Sequence, residues 1–374
     1  KRFCGDDKEP IYRALLNYGS TTPDLPEDLR RSIMHAIYNC RVLDPACGSG
    51  AFPMGVLQQM VHVLKQLDHD NDLWNSMIID IAVEDERREL LKLVNGEEDK
   101  KQEIEKAYIE RRKDIESVFQ QSIKYPDYAR KLFLIERCIY GVDIQPIATQ
   151  ISKLRFFISL VVDQDTTSDP KSNFGIRPLP NLEAKFVTAN TLIPLDRSRN
   201  IFTGSEDVLY YEELLNDINH RIFLAKKNSE KKKLQEMMFS ARASMAQVMD
   251  NLGAFGPSGY NQLMSWNMFD QNTSSSFFDP EWMFGLKEGF DVVIGNPPYI
   301  QIKWLPEKDA YREVGYKTFD SSGDIYCLFY EVGVKFLSKK GYLTYITSNK
   351  WLKSNYGKKT RNFIVQHTTP KLLI

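Results

Sequence analysis

Short, almost uninterrupted apolar runs alternate along the chain with longer stretches in which apolar residues return every three or four positions. The short runs fall at residues 41–44, 138–143, 184–189, 290–295 and 341–348, and another begins at 371–374. Such runs predict strands buried on both faces. The longer stretches predict helices. Residues 26–38 carry Leu29, Ile33, Ala36 and Ile37 in phase, and 51–67 carry Val56, Leu57, Met60, Val61 and Leu64. Residues 146–162 place Ile147, Ile151, Leu154, Phe157, Ile158 and Val161 along one face, and further helices are expected over 324–337 and 356–365. Strand and helix in turn imply an α/β fold, a mainly parallel sheet with helices on both faces.

Two stretches interrupt the alternation. Residues 68–130 carry mixed charges at helical period, most densely over 95–113, and read as a solvated helical insertion. Residues 200–280 form a second insertion, charged and helical over 210–249, then rich in Gly, Ser, Asn and aromatics over 251–278. Residues 1–40 are expected to be an N-terminal helical segment leading into the core, and residues 41–374 one domain carrying both insertions.

Composition narrows the class. The chain has 374 residues, 42% hydrophobic and 26% charged, with no apolar run long enough to span a membrane. Five cysteines without a CxxC pair argue against a disulfide framework or zinc site and fit a reducing cytoplasm. A net charge of −1 neither demands nor excludes a polyanionic partner, because local charge decides that contact.

Two apolar runs end in residues that carry chemistry. Val42-Leu43 leads into Asp44-Pro45-Ala46-Cys47-Gly48-Ser49-Gly50, followed at once by a helix. Glycines at that junction allow a tight turn and close backbone approach to a ligand, and free amides at a helix start favour anionic groups. No Gly-Lys-Ser/Thr follows, so this is not a P-loop, and the full dinucleotide fingerprint is also missing. Asp143 ends the next run, where an acid accepts hydrogen bonds from ribose hydroxyls. It lies roughly 100 residues beyond Asp44 instead of the ~20 of a compact unit, and the first insertion accounts for the excess. Cys47 has no histidine partner in view and reads as a small packing residue.

The second motif is Asn296-Pro297-Pro298-Tyr299, closing the run Phe290–Gly295. An exocyclic amine on an aromatic ring is a poor nucleophile because its lone pair is delocalised. Two acceptors aimed at its N–H bonds turn that lone pair toward an electrophile, and the Asn296 side-chain oxygen with the Pro297 carbonyl can supply them. Consecutive prolines fix the backbone, and Tyr299 offers a face for a planar group.

Asp44–Phe52, Tyr140-Gly141-Val142-Asp143-Ile144 and Asn296–Tyr299 together resemble the amino-methyltransferase signature. They are most similar to adenine-N6 DNA methyltransferases of restriction-modification and phage-defence systems, of type IIG-like organisation and gamma-class motif order. The likeness covers the sheet elements and not the insertions. It implies a Rossmann-like S-adenosylmethionine-dependent methyltransferase fold, with the cofactor held by Asp44, Pro45, Ala46, Cys47, Gly48, Ser49, Gly50, Asp143 and Ile144. It implies an adenine flipped out of double-stranded DNA, held by Asn296, Pro297, Pro298 and Tyr299, since N6 within a duplex is out of line with a bound methyl donor.

Where the family usually has Asp beside the cofactor adenine this chain has Asn190, which can still accept that hydrogen bond. Thr22-Pro23 stands as a remnant of a methionine-binding element without its aromatic. A target-recognition domain, a second base-stacking aromatic and any nuclease are expected outside this segment, which breaks off at its sixth strand. Lys339, Lys340, Lys350, Lys353, Lys358, Lys359 and Arg361, interleaved with Trp351 and Tyr356, read equally as a phosphate-contacting rim or a solvated helix face. The same tetrad also serves amine methyltransferases acting on RNA or on a protein glutamine, and a non-catalytic recognition subunit could keep the fold. Those alternatives stay open at the level of sequence.

Overall fold

The computed structural model describes residues 8–19, 23–93, 126–165, 167–176, 182–198, 205–224, 228–270 and 272–374. Thr22 and the charged stretch 95–113 lie outside the described residues. The elements begin with helices α1 (Glu9–Leu16) and α2 (Glu27–Tyr38), strand β1 (Val42–Asp44), helices α3 (Ala51–Leu67), α4 (Asp72–Leu93) and α5 (Pro126–Arg137), then β2 (Ile139–Asp143) and α6 (Pro146–Val161). Next come β3 (Phe186–Thr188) and helices α7 (Glu206–Leu224), α8 (Asn228–Asn251), α9 (Gly259–Ser265) and α10 (Pro280–Phe284). The last are β4 (Phe290–Gly295), α11 (Lys308–Glu313), α12 (Tyr326–Phe336), β5 (Leu337–Tyr345) and α13 (Gly357–His367).

The five strands form one parallel sheet in the order β3-β2-β1-β4-β5. The expected α/β class and parallel sheet are thus what the chain adopts. The chain builds outward from β1 through β2 to β3, then returns to the other side of β1 for β4 and β5. Neighbouring connections therefore diverge between β1 and β4, and such a switch point opens a crevice at the carboxyl ends of the strands. The outer edge of β3 is covered by a segment after α9: Ser275 N–H donates to Thr188 O (2.9 Å) and Asn190 N–H to Ser275 O (2.9 Å). A covered edge offers no open ladder to another chain.

The chain divides into two compact units. The first comprises Lys1–Cys40, Gly55–Cys138 and Ser159–Ile176. There the buried Arg130 guanidinium donates through its terminal nitrogens to the Asp68 carbonyl, to the His69 carbonyl (3.1 Å) and to the Asp127 carboxylate (2.8 Å), which pairs a charge taken out of water. The second unit comprises Arg41–Met54, Ile139–Ile158 and Arg177–Ile374, and holds the sheet. Its core joins Leu43, Tyr140 and Val293 of the strands to Ile218 and Ile222 of α7 and Met238 of α8. The charged stretch 210–249 accordingly contains two helices with buried apolar stripes.

Several boundaries differ from expectation. β5 starts at Leu337, before the expected residue 341, through a register irregularity opposite Phe290–Val292 and a positive φ of 65° at Lys340. Residues 371–374 form no strand and are exposed. A strand needs a hydrogen-bonding neighbour, and among the described residues none pairs with them. In α6 the apolar stripe expected from periodicity faces out, with Ile147, Ile151, Leu154 and Ile158 all exposed. The inward residues are Thr149, Ser152, Phe156 and Leu160.

Candidate active site

The loop after β1 is held by main-chain hydrogen bonds and by side chains reaching it from neighbouring segments. Cys47 N–H donates to the Val142 carbonyl (2.9 Å), fastening the loop to β2, and Gly50 N–H donates to the Cys47 carbonyl (2.8 Å). The Gly50 carbonyl then accepts from Met54 N–H (3.0 Å), so the loop passes directly into α3. Gly48 and Gly50 have φ of 53° and 76°, a region open to glycine and strained for other residues. A side chain on Gly50 would also place its Cβ 2.8 Å from Ser152 Oγ, whereas an added Cβ on Gly48 meets nothing within 4 Å. One glycine serves a close internal contact, and the other leaves the loop open on its outer side.

Asp143 joins the two strand ends. Its Oδ2 accepts from Gly48 N–H (2.9 Å) and its Oδ1 from Gln145 N–H (2.9 Å). Each carboxylate oxygen keeps a second lone pair for a ligand. Ile144, next to it, is exposed. Asp44 is buried at the end of β1, with Oδ1 accepting from Ala46 N–H (3.1 Å). Burial pushes its carboxyl up to about 7, against the lowering effect of the Ala46 hydrogen bond, and the neighbouring Asp143 charge adds to the rise. Burial likewise holds the Cys47 thiol well above its ordinary value, which suits a packing residue and not a nucleophile.

Sequence reasoning missed two residues that hold this loop. Ser152 on α6 donates from Oγ to the Gly48 carbonyl (2.9 Å), and Thr191 donates from Oγ1 to the Pro45 carbonyl (2.7 Å). Neither stands out in the sequence, since α6 also carries Gln150, Lys153, Arg155 and Ser159 among its apolar residues.

The tetrad follows β4, the immediate neighbour of β1, with Val42 opposite Val292 and Leu43 opposite Val293. Gly295 precedes it, and a Cβ there would lie 2.7 Å from Asp44 Oδ1. The residue entering the tetrad and the acid entering the glycine loop are therefore in close approach. Asn296 and Tyr299 are exposed, Pro297 is buried and Pro298 half-buried. The Tyr299 hydroxyl lies 2.9 Å from Asn296 Oδ1 and 3.1 Å from the Ile346 carbonyl, two acceptors for its single proton. At least one Asn296 Oδ1 lone pair is left for another donor. The Tyr299 ring packs obliquely on Tyr326, with centroids 5.7 Å apart.

Asn190 lies just beyond β3 and is buried. Its Oδ1 accepts from Leu192 N–H (3.1 Å) and its Nδ2 donates to the Tyr311 hydroxyl (3.3 Å), so one Oδ1 lone pair remains. In the basic stretch, Lys359 donates to the Phe319 carbonyl and Arg361 to the carbonyls of Trp351 and Ser354. Trp351 is buried against Tyr326 and Cys327, while Lys339, Lys340, Lys350, Lys353 and Lys358 are exposed. Among the described residues, no helix is long and apolar enough to cross a membrane.

Residues 137–374, well over half of the chain, match the family described as Eco57I restriction-modification methylase. Over 87 residues the chain is 33% identical to the type II methyltransferase M.BstVI of Geobacillus stearothermophilus, a stretch covering 23% of this chain and 15% of that protein. It is 36% identical over 83 residues to the type II restriction enzyme and methyltransferase RM.Eco57I of Escherichia coli, covering 21% and 8%. A third relative, the type II methyltransferase M.PaeR7I of Pseudomonas aeruginosa, is 33% identical over 91 residues, covering 24% and 16%. The matched stretches span less than a fifth of the length of these relatives.

Proposed function

We propose that this chain, which belongs to the Eco57I restriction-modification methylase family, carries the site that transfers a methyl group from S-adenosylmethionine to N6 of an adenine flipped out of double-stranded DNA. The observation that carries this reading is the close approach of the two motifs, with Gly295 at the head of the tetrad set against Asp44 at the head of the glycine loop. A donor held by one loop and an acceptor amine held by the other would then meet at the β1/β4 switch point.

The residues fit the cofactor. Gly48 leaves open space for close approach, Asp143 keeps lone pairs for two ribose hydroxyls, and Asp44 offers an acid close to the loop amides. Pro45, Ala46, Cys47, Ser49 and Gly50 shape the wall around the methionine end. Ile144 contributes apolar surface to the adenine, and the remaining Asn190 lone pair takes the adenine amine. When bound, S-adenosylmethionine supplies an electrophilic methyl group.

The tetrad does the rest. Asn296 Oδ1 and the Pro297 carbonyl accept the two N–H bonds of the target amine, which frees its lone pair for attack. The Tyr299 hydroxyl steadies the Asn296 amide, its ring stacks on the base, and Pro298 keeps the backbone from relaxing. Proton loss follows transfer, so no base of shifted pKa is needed. In our division, residues 41–374 form the catalytic domain, interrupted at 68–130 and 200–280, with 1–40 leading into it. Target recognition and any cleavage belong to other parts of the polypeptide, and the reaction runs in a reducing cytoplasm.

The test is incubation of the protein with methyl-labelled S-adenosylmethionine and DNA, RNA and protein in competition, followed by hydrolysis and chromatography. Label in N6-methyladenine of DNA is expected. Label confined to RNA or to glutamine would move the reading to another amine methyltransferase. A protein that binds the cofactor and labels nothing would overturn it.

A further inference from the structure

Trp304 is the one tryptophan of this chain that the fold does not bury. The chain has five. Trp74, Trp266, Trp282 and Trp351 are 0–9% exposed, whereas Trp304 is 74% exposed. It stands five residues after Tyr299, at the end of a short 3-10 turn (Ile302–Trp304). That turn is firmly held. Ile302 is fully buried, its N–H donates to the Gly323 carbonyl (2.9 Å), and the Ile300 carbonyl accepts from Ile325 N–H (2.8 Å). The indole N–H itself donates to Gln301 Oε1 (3.2 Å). The ring is thus presented to solvent on a rigid base.

The exposed residues on this segment and on the one that meets Tyr299 have the composition of a nucleic-acid contact. Tyr299, Ile300 and Ile346 are each about half exposed, and the Ile346 carbonyl faces the Tyr299 hydroxyl at 3.1 Å. Lys303 Nζ lies 4.9 Å from the Trp304 ring centroid, and Lys350 and Lys353 are exposed on the segment after Ile346. An exposed aromatic ring beside a lysine, five residues along the chain from Tyr299, suits bases and phosphates together. Extruding a base leaves a gap in the stack, and an apolar wedge or platform next to it offsets the lost stacking.

We infer that Trp304 is the wedge that occupies the duplex beside the extruded base, with Lys303 on the flanking phosphate. This deepens the reading of the tetrad as an adenine-N6 site and rests on it. Trp304 is a positioning residue, since it touches the stack and not the reacting nitrogen.

The experiment uses the full polypeptide, on duplexes built around the sequence in which the wild type places its methyl groups, with 2-aminopurine at the target for a flipping signal. Trp304→Ala is expected to raise KM for the matched duplex about tenfold, the worth of one lost stacking contact. It should also lose most of the 2-aminopurine fluorescence rise and keep wild-type cofactor affinity. Trp304→Phe should retain most of the activity. An abasic sugar opposite the target removes the pairing that extrusion must break, so Trp304→Ala should there approach the wild type. A Trp304→Ala variant with wild-type KM and fluorescence on the matched duplex would overturn the inference. So would a loss equal on matched and abasic-opposed duplexes, which marks a simple surface contact. If the wild type itself methylates no DNA, the underlying reading has failed, and this is seen before any variant is compared.

Discussion

The loop after β1 and the tetrad after β4 lie side by side, yet they are held in opposite ways. The loop is cross-linked through its amides: Cys47 to Val142, Gly48 to Asp143, Gly50 to Cys47, with Ser152 and Thr191 donating to the Gly48 and Pro45 carbonyls. The tetrad leaves Asn296 and Tyr299 exposed and ties them chiefly to each other and to the Ile346 carbonyl. A site for a constant, small ligand can be finished by the fold in advance. On the proposed reading, a site for a base that arrives attached to a polymer keeps its acceptors at the surface, where proline geometry does the holding.

That contrast can be broken at each end. The largest effect is expected from Asn296→Ala, which removes one of two acceptors made for the transition state. Transfer should fall by about 10²–10³-fold, with cofactor affinity unchanged, as single-turnover rates and calorimetric titration would show. At the junction, Gly295→Ala forces a Cβ to within 2.7 Å of Asp44 Oδ1. Cofactor binding and transfer should fall together, with a stability loss of about 1–3 kcal/mol measured by denaturant unfolding. Asp143→Ala should do the reverse of Asn296→Ala. It frees Gly48 N–H and removes the ribose acceptor, so cofactor Kd should rise about tenfold while transfer at saturating cofactor stays near wild type.

A smaller effect sharpens the difference in burial. Asp44 has its carboxyl raised from 3.8 to about 7 in the folded chain, chiefly by burial. The folded state therefore binds that proton more tightly than the unfolded one. The stabilisation is complete below 3.8 and is lost as pH rises through about 7. Asp44→Asn should flatten this part of the stability profile, read by urea unfolding between those limits. Smallest of all, the Tyr345 hydroxyl on β5 is buried without a hydrogen-bond partner. Tyr345→Phe should leave transfer intact and raise stability by about 1 kcal/mol.

The same contrast explains what could be read in advance. The buried strands β1 to β4 announced themselves as apolar runs because both faces of that part of the sheet are covered, whereas β5 is half-buried or exposed along its length. Asp44–Gly50, Asp143 and Asn296–Tyr299 were legible because backbone-permissive and planar residues sit at strand ends for few other reasons. Ser152 and Thr191 were not, since a lone hydroxyl carries no periodic signal and acts through a contact far along the chain. The outward turn of Ile147, Ile151 and Leu154 was also hidden. Periodicity reports that a stripe exists and not which face turns in, and here the inward face is the one that sets Ser152 close against Gly50. Arg361 and Lys359 show the same limit, for charge in the sequence does not reveal that a backbone carbonyl will claim it.

The measurement that reaches the centre of this account pairs cofactor titration with analysis of N6-methyladenine in DNA, for the wild type and Asn296→Ala side by side. Equal cofactor affinity is expected in both, and N6-methyladenine only with the wild type. Methylation of adenine at the wild-type rate by Asn296→Ala would contradict it, because the amine would then be activated somewhere other than at the tetrad.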